Sequence, residues 1–433
     1  MSDPLKVAIA GLGTVGAGTV KVLAKHAERI AARCGRPVSV TAVSARSKGK
    51  DRGVDLSGYV WFDDPVAMAK GADADVIIEL IGGADGPALA LTHAAFAAGR
   101  HVVTANKALV AEKGSELATA AEQAGVTLAY EAAVAGGIPI IKALREGLAG
   151  NRISRVLGIL NGTCNYILST MEETGRAFDD VLKEAQDLGY AEADPSFDID
   201  GVDAAHKLAI LASLAFGTKV EFSQVHIEGI RRISALDFQY ARDLGFKIKL
   251  LGLAGTTEHG VYQRVHPCLI DEDGPLAAVD GSFNAVIAEG DFVGRSVYEG
   301  RGAGEGPTAS AVVADLMDIA AGRKAHVFGV PASQLADLKP VPIEQRTGSY
   351  YVRLKVVDRT GVVADIGGAF RDHNISMDSV LQRDHDADGN AFVIIVTHDA
   401  LESDLRSALK ALEANSAMVE PPQVIRIEDV WGE

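Results

Sequence analysis

A chain of 433 residues with 48% hydrophobic and 23% charged side chains is globular and too long for one hydrophobic core, so two or three domains are expected. Its formal net charge of −16 argues against nucleic acid or an anionic membrane as partner. No apolar run approaches the ~20 residues that crossing a bilayer requires. Three scattered cysteines, Cys34, Cys164 and Cys268, support neither a disulfide framework nor a metal cluster. The opening MSDPLKVAIAG shows no signal-peptide pattern, so a reducing, cytoplasmic setting is expected.

Leu5 to Ala10 reads as a buried parallel strand. Gly11-Leu12-Gly13-Thr14-Val15-Gly16 follows at once, and then a helical stretch to about Arg33. This is G-x-G-x-x-G between strand and helix, where glycines permit a tight turn and the helix N-terminus attracts a pyrophosphate. The strand Val38 to Val43 ends in Ser44-Ala45-Arg46-Ser47-Lys48, without the acidic residue that would hold the ribose hydroxyl of NAD. Arg46 and Lys48 suit a 2′-phosphate instead, which favours NADP; a solvated basic loop is the other reading. Asp75 to Leu80, Val102-Val103 and Val126 to Tyr130 supply further strands, with a helix at Pro87 to Ala98. Lys107 emerges from Thr104-Ala105-Asn106 at the carboxyl rim of this sheet, where ligands bind. Glu131-Ala132-Ala133-Val134-Ala135-Gly136-Gly137-Ile138 places a carboxylate beside backbone carbonyls, suitable for a hard cation, although composition alone favours a domain-crossing loop.

The middle of the chain is a mixed α+β region. Val156 to Leu160 reads as a strand leading to Asn161-Gly162-Thr163-Cys164-Asn165, a loop able to bind a polar small molecule. Leu188 to Lys207, LGYAEADPSFDIDGVDAAHK, concentrates Glu192, Asp194, Asp198, Asp200, Asp203 and Lys207, with His206 able to join them. It runs into a helix whose Asp203 and Lys207 share one face. That helix is apolar around most of its girth and so should be buried. A solvated ion pair on a first turn is the alternative, and spacing alone does not decide. Strands follow at Lys247 to Ala254, Val261 to Leu269 and Asn284 to Glu289. Tyr298 to Pro307 reads as a flexible glycine loop before a helix from Thr308 to Ala321. Pro331, Pro340 and Pro342 mark a linker. Beyond it, strands and helices at 350–357, about 361–371, 375–383, 391–397, 401–415 and 424–427 give βαββαβ, a ferredoxin-like order.

Taken together, GLGTVG, TANKAL, YEAAVAGGIP, NGTCNYIL, GYAEADPSFDIDGVDAAHK and GAGEGPTASAVVADL resemble, in this order, the bacterial homoserine dehydrogenases that carry a C-terminal ACT domain. The resemblance covers essentially the whole chain. It implies an α/β fold with a Rossmann-type dinucleotide-binding domain (1–135 plus about 307–330) and an α+β substrate and dimerisation domain (136–306). A linker (331–348) and a regulatory ACT domain (349–433) complete it. It implies reversible reduction of L-aspartate 4-semialdehyde to L-homoserine with NAD(P)H, on the route to threonine, methionine and isoleucine.

Residue by residue, the resemblance makes Lys207 the general acid/base, assisted by Lys107. Glu192 and Asp203 hold the substrate, with Tyr190, Thr163 and Asp198 as further contacts. Gly11, Leu12, Gly13, Thr14, Val15, Gly16, Lys107 and the glycines Gly302 and Gly304 match cofactor contacts. Glu131 with the carbonyls of Val134, Gly136 and Ile138 matches a monovalent cation site for Na+ or K+, against the composition-based reading. In the ACT unit, Asp358, Gly361, Asn374 and Ile375 stand where amino-acid ligands bind between paired copies, so L-threonine is the expected effector and a homodimer or homotetramer the expected assembly.

The chemistry agrees. Hydride arriving at an aldehyde carbon leaves alkoxide character on oxygen, which needs a cation and then a proton. Glu192 suits the substrate's α-ammonium, and Lys107 or loop amides its carboxylate. Two other readings are an aspartate-semialdehyde dehydrogenase, which would need Cys164 as nucleophile, and an amino-acid sensor with an inactive core.

Overall fold

The computed structural model describes residues 3–431, with Asp384 by its backbone alone. Met1, Ser2, Gly432 and Glu433, the tips of the first and last expected domains, lie outside the described residues. Six parallel strands, β1 (Leu5–Ala10), β2 (Val38–Ser44), β3 (Val60–Phe62), β4 (Val76–Glu79), β5 (His101–Thr104) and β6 (Leu128–Ala129), form a sheet of order β3-β2-β1-β4-β5-β6. β1 and β4 are almost wholly buried, as continuous apolar runs in a two-sided parallel sheet require. The order reverses between β1 and β4, which opens a crevice at their carboxyl ends. There Gly11 has a φ of 98°, and a Cβ on it would lie 2.3 Å from the Leu80 carbonyl oxygen. A Cβ on Gly16 would meet the Gly11 oxygen at 2.1 Å. Helix α1 (Thr14–Lys25) follows the turn, and α2 (Lys107–Ala124) follows β5. The single helix expected to Arg33 is broken at His26, whose backbone leaves helical geometry, and a second segment resumes at Ala27–Cys34.

A second sheet carries the rest of the chain. Its first part comprises β7 (Ile153–Ile159), β8 (Phe246–Thr257), β9 (Gly260–Asp271), β10 (Phe283–Gly290) and β11 (Gly294–Arg301). Helices α3 (Gly162–Thr174) and α4 (Val202–Phe216) pack on it, and α5 (Glu305–Ala320) returns to α1. Two expectations are corrected here. Gly162 to Asn165 opens α3 rather than a loop, because the Asn161 side chain caps it by accepting from the Cys164 N–H at 2.8 Å. Tyr298 to Arg301 belongs to β11, paired antiparallel with β10, so the glycine loop shrinks to 302–304; Glu305 and Pro307 lie in α5.

The C-terminal unit contains β12 (Tyr350–Val357), α6 (Val362–Asp372), β13 (Met377–His385), β14 (Asn390–Thr397), α7 (Glu402–Glu413) and β15 (Gln423–Ile427). This is the expected βαββαβ, with strand order β15-β12-β14-β13. Its outer strand β15 also pairs in parallel with β9, at Cys268 with Arg426 and Leu269 with Ile427. One sheet therefore runs β11-β10-β7-β8-β9-β15-β12-β14-β13, with the two-residue strand His226–Ile227 added beside β9.

The junction is held by buried charge. Arg426 is 3% exposed and donates to both oxygens of Glu228 at 2.8 Å and to Glu402 at 2.6 and 3.0 Å. Removing one member of such a set strands the other charges. Arg426→Ala is expected to lower stability by about 3–5 kcal/mol in urea titration. An unchanged midpoint would show that the junction contributes nothing.

Candidate active site

Helix α4 starts at Gly201, whose φ of 87° no other residue adopts easily, and every residue from Asp203 to Leu214 is buried. The solvated-pair reading therefore fails: Asp203 is 2% and Lys207 7% exposed. The Lys207 ammonium donates to the Leu160 carbonyl at 2.7 Å and to Asp203 Oδ2 at 2.8 Å. The other oxygen, Oδ1, lies 2.6 Å from the ammonium of Lys107. Lys107 is the first residue of α2, at the carboxyl rim of the parallel sheet, so this one carboxylate joins the two layers.

The two lysines are pushed in opposite directions. Burial draws Lys207 below the ordinary lysine value, and Asp203 offsets only part of that. Burial acts on Lys107 too, but Asp203, Asp198 and Glu192 outweigh it and the result is a raised pKa. Asp203 resists its own burial because Lys207 and Lys107 hold it well below the usual carboxylate range. Environments that separate the pKa values of neighbouring groups assign their roles: the lowered amine can exchange its proton, and the raised one stays a cation.

Asn161, which opens the segment expected to bind a polar small molecule, has a bridging role that the sequence did not suggest. Its side-chain amide donates 2.7 Å bonds to Asp198 Oδ1 and Asp203 Oδ2 while its carbonyl caps α3. Asn immediately before a helical run is the signal that could have found it. Asp198 is pushed up by burial and by Asp203, with Asn161 acting against the shift. Thr163 Oγ1 donates to the Tyr190 carbonyl at 2.8 Å, and the Tyr190 ring packs on Tyr166 with centroids 4.7 Å apart. Glu192 is exposed on the same loop. Cys164 is buried, its thiol bonded to the Asp198 carbonyl at 3.2 Å, and burial pushes its pKa up, the reverse of what a nucleophile needs.

The crevice fits a dinucleotide. α1 begins at Thr14 with no side-chain cap, which leaves its first N–H groups for a ligand, and a Cβ on Gly13 would meet nothing within 4 Å. Around the rim, buried Glu79 accepts from Thr104 Oγ1 at 2.6 Å and from the Ile81 N–H at 2.7 Å. Asn106 ties the Lys107 turn to the Gly83 carbonyl at 2.7 Å. Arg46 and Lys48 are exposed beyond β2. Between that loop and the glycine turn stands Arg52, unnoticed in the sequence, which donates to the Leu12 carbonyl at 3.1 Å and lies 5.7 Å over the Trp61 ring. A Cβ on Gly302 would collide with Asn284 and one on Gly136 with the Gly302 carbonyl, and Gly304 precedes α5, whose Glu305 lies against Gly18 of α1.

Glu131 is buried, accepting from the N–H groups of Ile141 and Lys142 at 3.0 and 2.9 Å. Burial and neighbouring Asp315 push it up to about 7, and burial pushes Asp315 up to about 6. Ala135 and Gly136, between Val134 and Ile138, both have positive φ. Lys142, 3.6 Å from Asp315, offsets only part of the burial of these two carboxyls, and the turned backbone beside Glu131 carries carbonyls of the kind a monovalent cation takes. In the ACT-like unit, Asp358 and Gly361 line a 250 Å³ cavity at the start of α6, whereas Asn374 and Ile375 follow its far end. One chain does not bring the four together.

A switch-point crevice that fits a dinucleotide, beside a lysine made easy to deprotonate, defines a dinucleotide-dependent dehydrogenase. Residues 11–131 match the family model "Homoserine dehydrogenase, NAD binding domain", 139–317 the model "Homoserine dehydrogenase", and 350–416 the ACT domain. The homoserine dehydrogenase of Neisseria gonorrhoeae is 45% identical over 99% of both chains. A crystal structure of that enzyme from Thiobacillus denitrificans superposes with a TM-score of 0.92, at 47% identity and 99% coverage of both chains. A variant of a hyperthermophilic archaeal homoserine dehydrogenase, in complex with NADPH, gives a TM-score of 0.63 at 26% identity, covering 73% of this chain and 97% of its own. The chain belongs to the homoserine dehydrogenase family.

Asn161→Ala is expected to raise the KM for homoserine about tenfold, the scale of one lost hydrogen bond to a charged group. Steady-state kinetics checks this, and an unchanged KM would mean that Asp198 and Asp203 keep their places without the bridging amide.

Proposed function

We propose that Lys207 exchanges the proton on the reacting oxygen when L-aspartate 4-semialdehyde and L-homoserine interconvert. The observation that carries this reading is the separation of two lysines around one buried carboxylate, with the lowered amine on Lys207. A bound nicotinamide dinucleotide supplies or accepts the hydride. In reduction, the Lys207 ammonium gives its proton to the oxygen that becomes the hydroxyl; in oxidation, the neutral amine takes it back. Lys107 remains cationic and serves the substrate carboxylate, or the carbonyl as charge develops. Asp203 aligns both lysines. Glu192 takes the α-ammonium, with Asp198, Thr163 and Tyr190 closing that side.

NADP is the preferred cofactor in this reading. Its support is the basic loop of Arg46 and Lys48 without a nearby acidic ribose partner, now joined by Arg52, and an NADPH-bound relative. The buried, protonated environment of Cys164 leaves the aspartate-semialdehyde dehydrogenase alternative without a nucleophile. L-Threonine acts on the ACT unit, as part of feedback on threonine, methionine and isoleucine synthesis. The separation of Asp358 and Gly361 from Asn374 and Ile375 favours a ligand shared between two copies, hence a homodimer or homotetramer. Unchanged activity across millimolar threonine would end that part of the reading.

Lys207→Met should lower kcat by about 10²–10⁴-fold, the usual range for a proton-transfer group, with the Kd for NADP unchanged. Retained turnover would remove Lys207 from the chemistry.

Glu131, the carbonyls of Val134, Gly136 and Ile138, and a Na+ or K+ ion form the cation site in this reading. Glu131 and Asp315 keep their protons to higher pH folded than unfolded, so the stability they allow is greatest in acid. It is lost as pH rises from ordinary carboxyl values through about 7. Melting temperatures in choline chloride should fall across that interval, and KCl or NaCl at equal ionic strength should restore them. Identical curves in all three salts would contradict the site.

A further inference from the structure

Phe197 is 43% exposed in the middle of the acidic loop, on the single helical turn Ser196–Ile199. One side of its ring faces the Lys107 ammonium, 5.4 Å from the centroid. The ring also packs against the imidazole of His206, with centroids 5.5 Å apart and planes inclined by 40°. His206 is packed in turn on Phe222 at 4.2 Å. This imidazole is buried, and neither ring nitrogen finds a hydrogen-bond partner among the described residues. Its nearest acidic oxygen, on Glu112 of α2, is 3.6 Å away. Burial pushes His206 down to about 4, so it is neutral at ordinary pH. A buried imidazole without hydrogen bonds is costly as a polar group. Here it serves as an aromatic plate between two phenylalanines.

The stack Phe222–His206–Phe197 thus ends on a cation from the other layer of the molecule. The Lys107 side chain is 35% exposed and would sample many rotamers if Asp203 were its only contact. A ring face within 6 Å of an ammonium is attractive, and a ring backed by a buried partner does not give way. Asp203, Asp198 and Glu192 also face Lys107 and favour its charge, while Lys207 and His206 lie close enough to feel it.

We propose that Phe197 is a positioning residue for Lys107: the ring, backed by His206 and Phe222, aims the ammonium into the cleft before substrate arrives. The proposal rests on Lys107 serving the substrate as a cation. It goes further in assigning a specificity-supporting task to an aromatic side chain that makes no proton transfer of its own.

The test compares Phe197→Leu, Phe197→Ala and Phe197→Tyr in the full-length enzyme with NADP, measuring kcat and both KM values. The Leu variant keeps the apolar bulk, so it remains informative if the Ala variant fails to fold. Leu is expected to raise the KM for homoserine about two- to fivefold, the scale of one partly exposed cation–π contact. The KM for NADP should stay unchanged. The same factor should appear in kcat/KM for homoserine, with kcat itself unchanged. Tyr should restore both values. A Leu variant that matches wild type, Leu and Tyr variants impaired alike, or a change confined to thermal stability would each overturn the proposal. Lys107→Met separates the two claims: if it keeps a normal homoserine KM, the reading of Lys107 itself is wrong.

Discussion

Everything in the site depends on Asp203 being shared. One buried carboxylate meets an ammonium from its own helix and another from the helix of the opposite layer, at 2.8 and 2.6 Å. Lys207 could not be held there alone, since an unpaired buried charge costs several kcal/mol. Asp203, Asp198 and Glu192 together outweigh burial at Lys107, whereas burial prevails at Lys207. The arrangement therefore yields an amine with a lowered pKa and a permanent cation from the same residue type. Asn161 completes it by sharing Asp203 Oδ2 with Lys207 and holding Asp198 alongside.

The fold supplies the positions. The parallel sheet sets Lys107 at its carboxyl rim, where Asn106 fixes the turn, and α4 carries Asp203 and Lys207 through the apolar core. The segment before α4 is equally constrained. Gly229 abuts the Ile199 carbonyl and Asp200, and Arg231 binds the Asp200 carboxylate at 2.5 and 3.1 Å. Gly229 follows Glu228, which Arg426 grips from the C-terminal unit. The same sheet that carries the substrate layer thus continues into the ACT domain, through strand pairing at β15 and charge at Arg426. The two units are therefore mechanically continuous at this junction.

Much of this was legible from residue order. The glycine turn, its strand and its helix could be read because packing leaves Gly11 and Gly16 no substitute, and βαββαβ because alternation and turns agree there. The pairing of Asp203 with Lys207 followed from spacing and the burial of their helix from its apolar girth, but spacing alone did not decide whether the pair on its first turn was solvated. Lys107 meets Asp203 across 96 positions of sequence, a tertiary contact without local signal. Tyr298 to Arg301 reads as loop because glycine and charge dominate it; its pairing with β10 overrides that local preference. Arg52 acts through backbone carbonyls and an aromatic ring, so its residue type alone gave no reason to single it out, whereas Asn161 carried a helix-start signal. Phe197 and His206 were adjacent to every residue of interest, yet a contact between aromatic faces leaves no spacing pattern.

The central claim concerns the protonation of two amines, and it can be observed directly. Lysine side chains labelled with ¹³C at Cε can be titrated by NMR in the full-length enzyme, with Lys107→Arg and Lys207→Arg used for assignment. The account predicts that Lys207 loses its proton below the range of the surface lysines and Lys107 above it. Two signals that titrate together, or a Lys207 that holds its proton longer than Lys107, would contradict it.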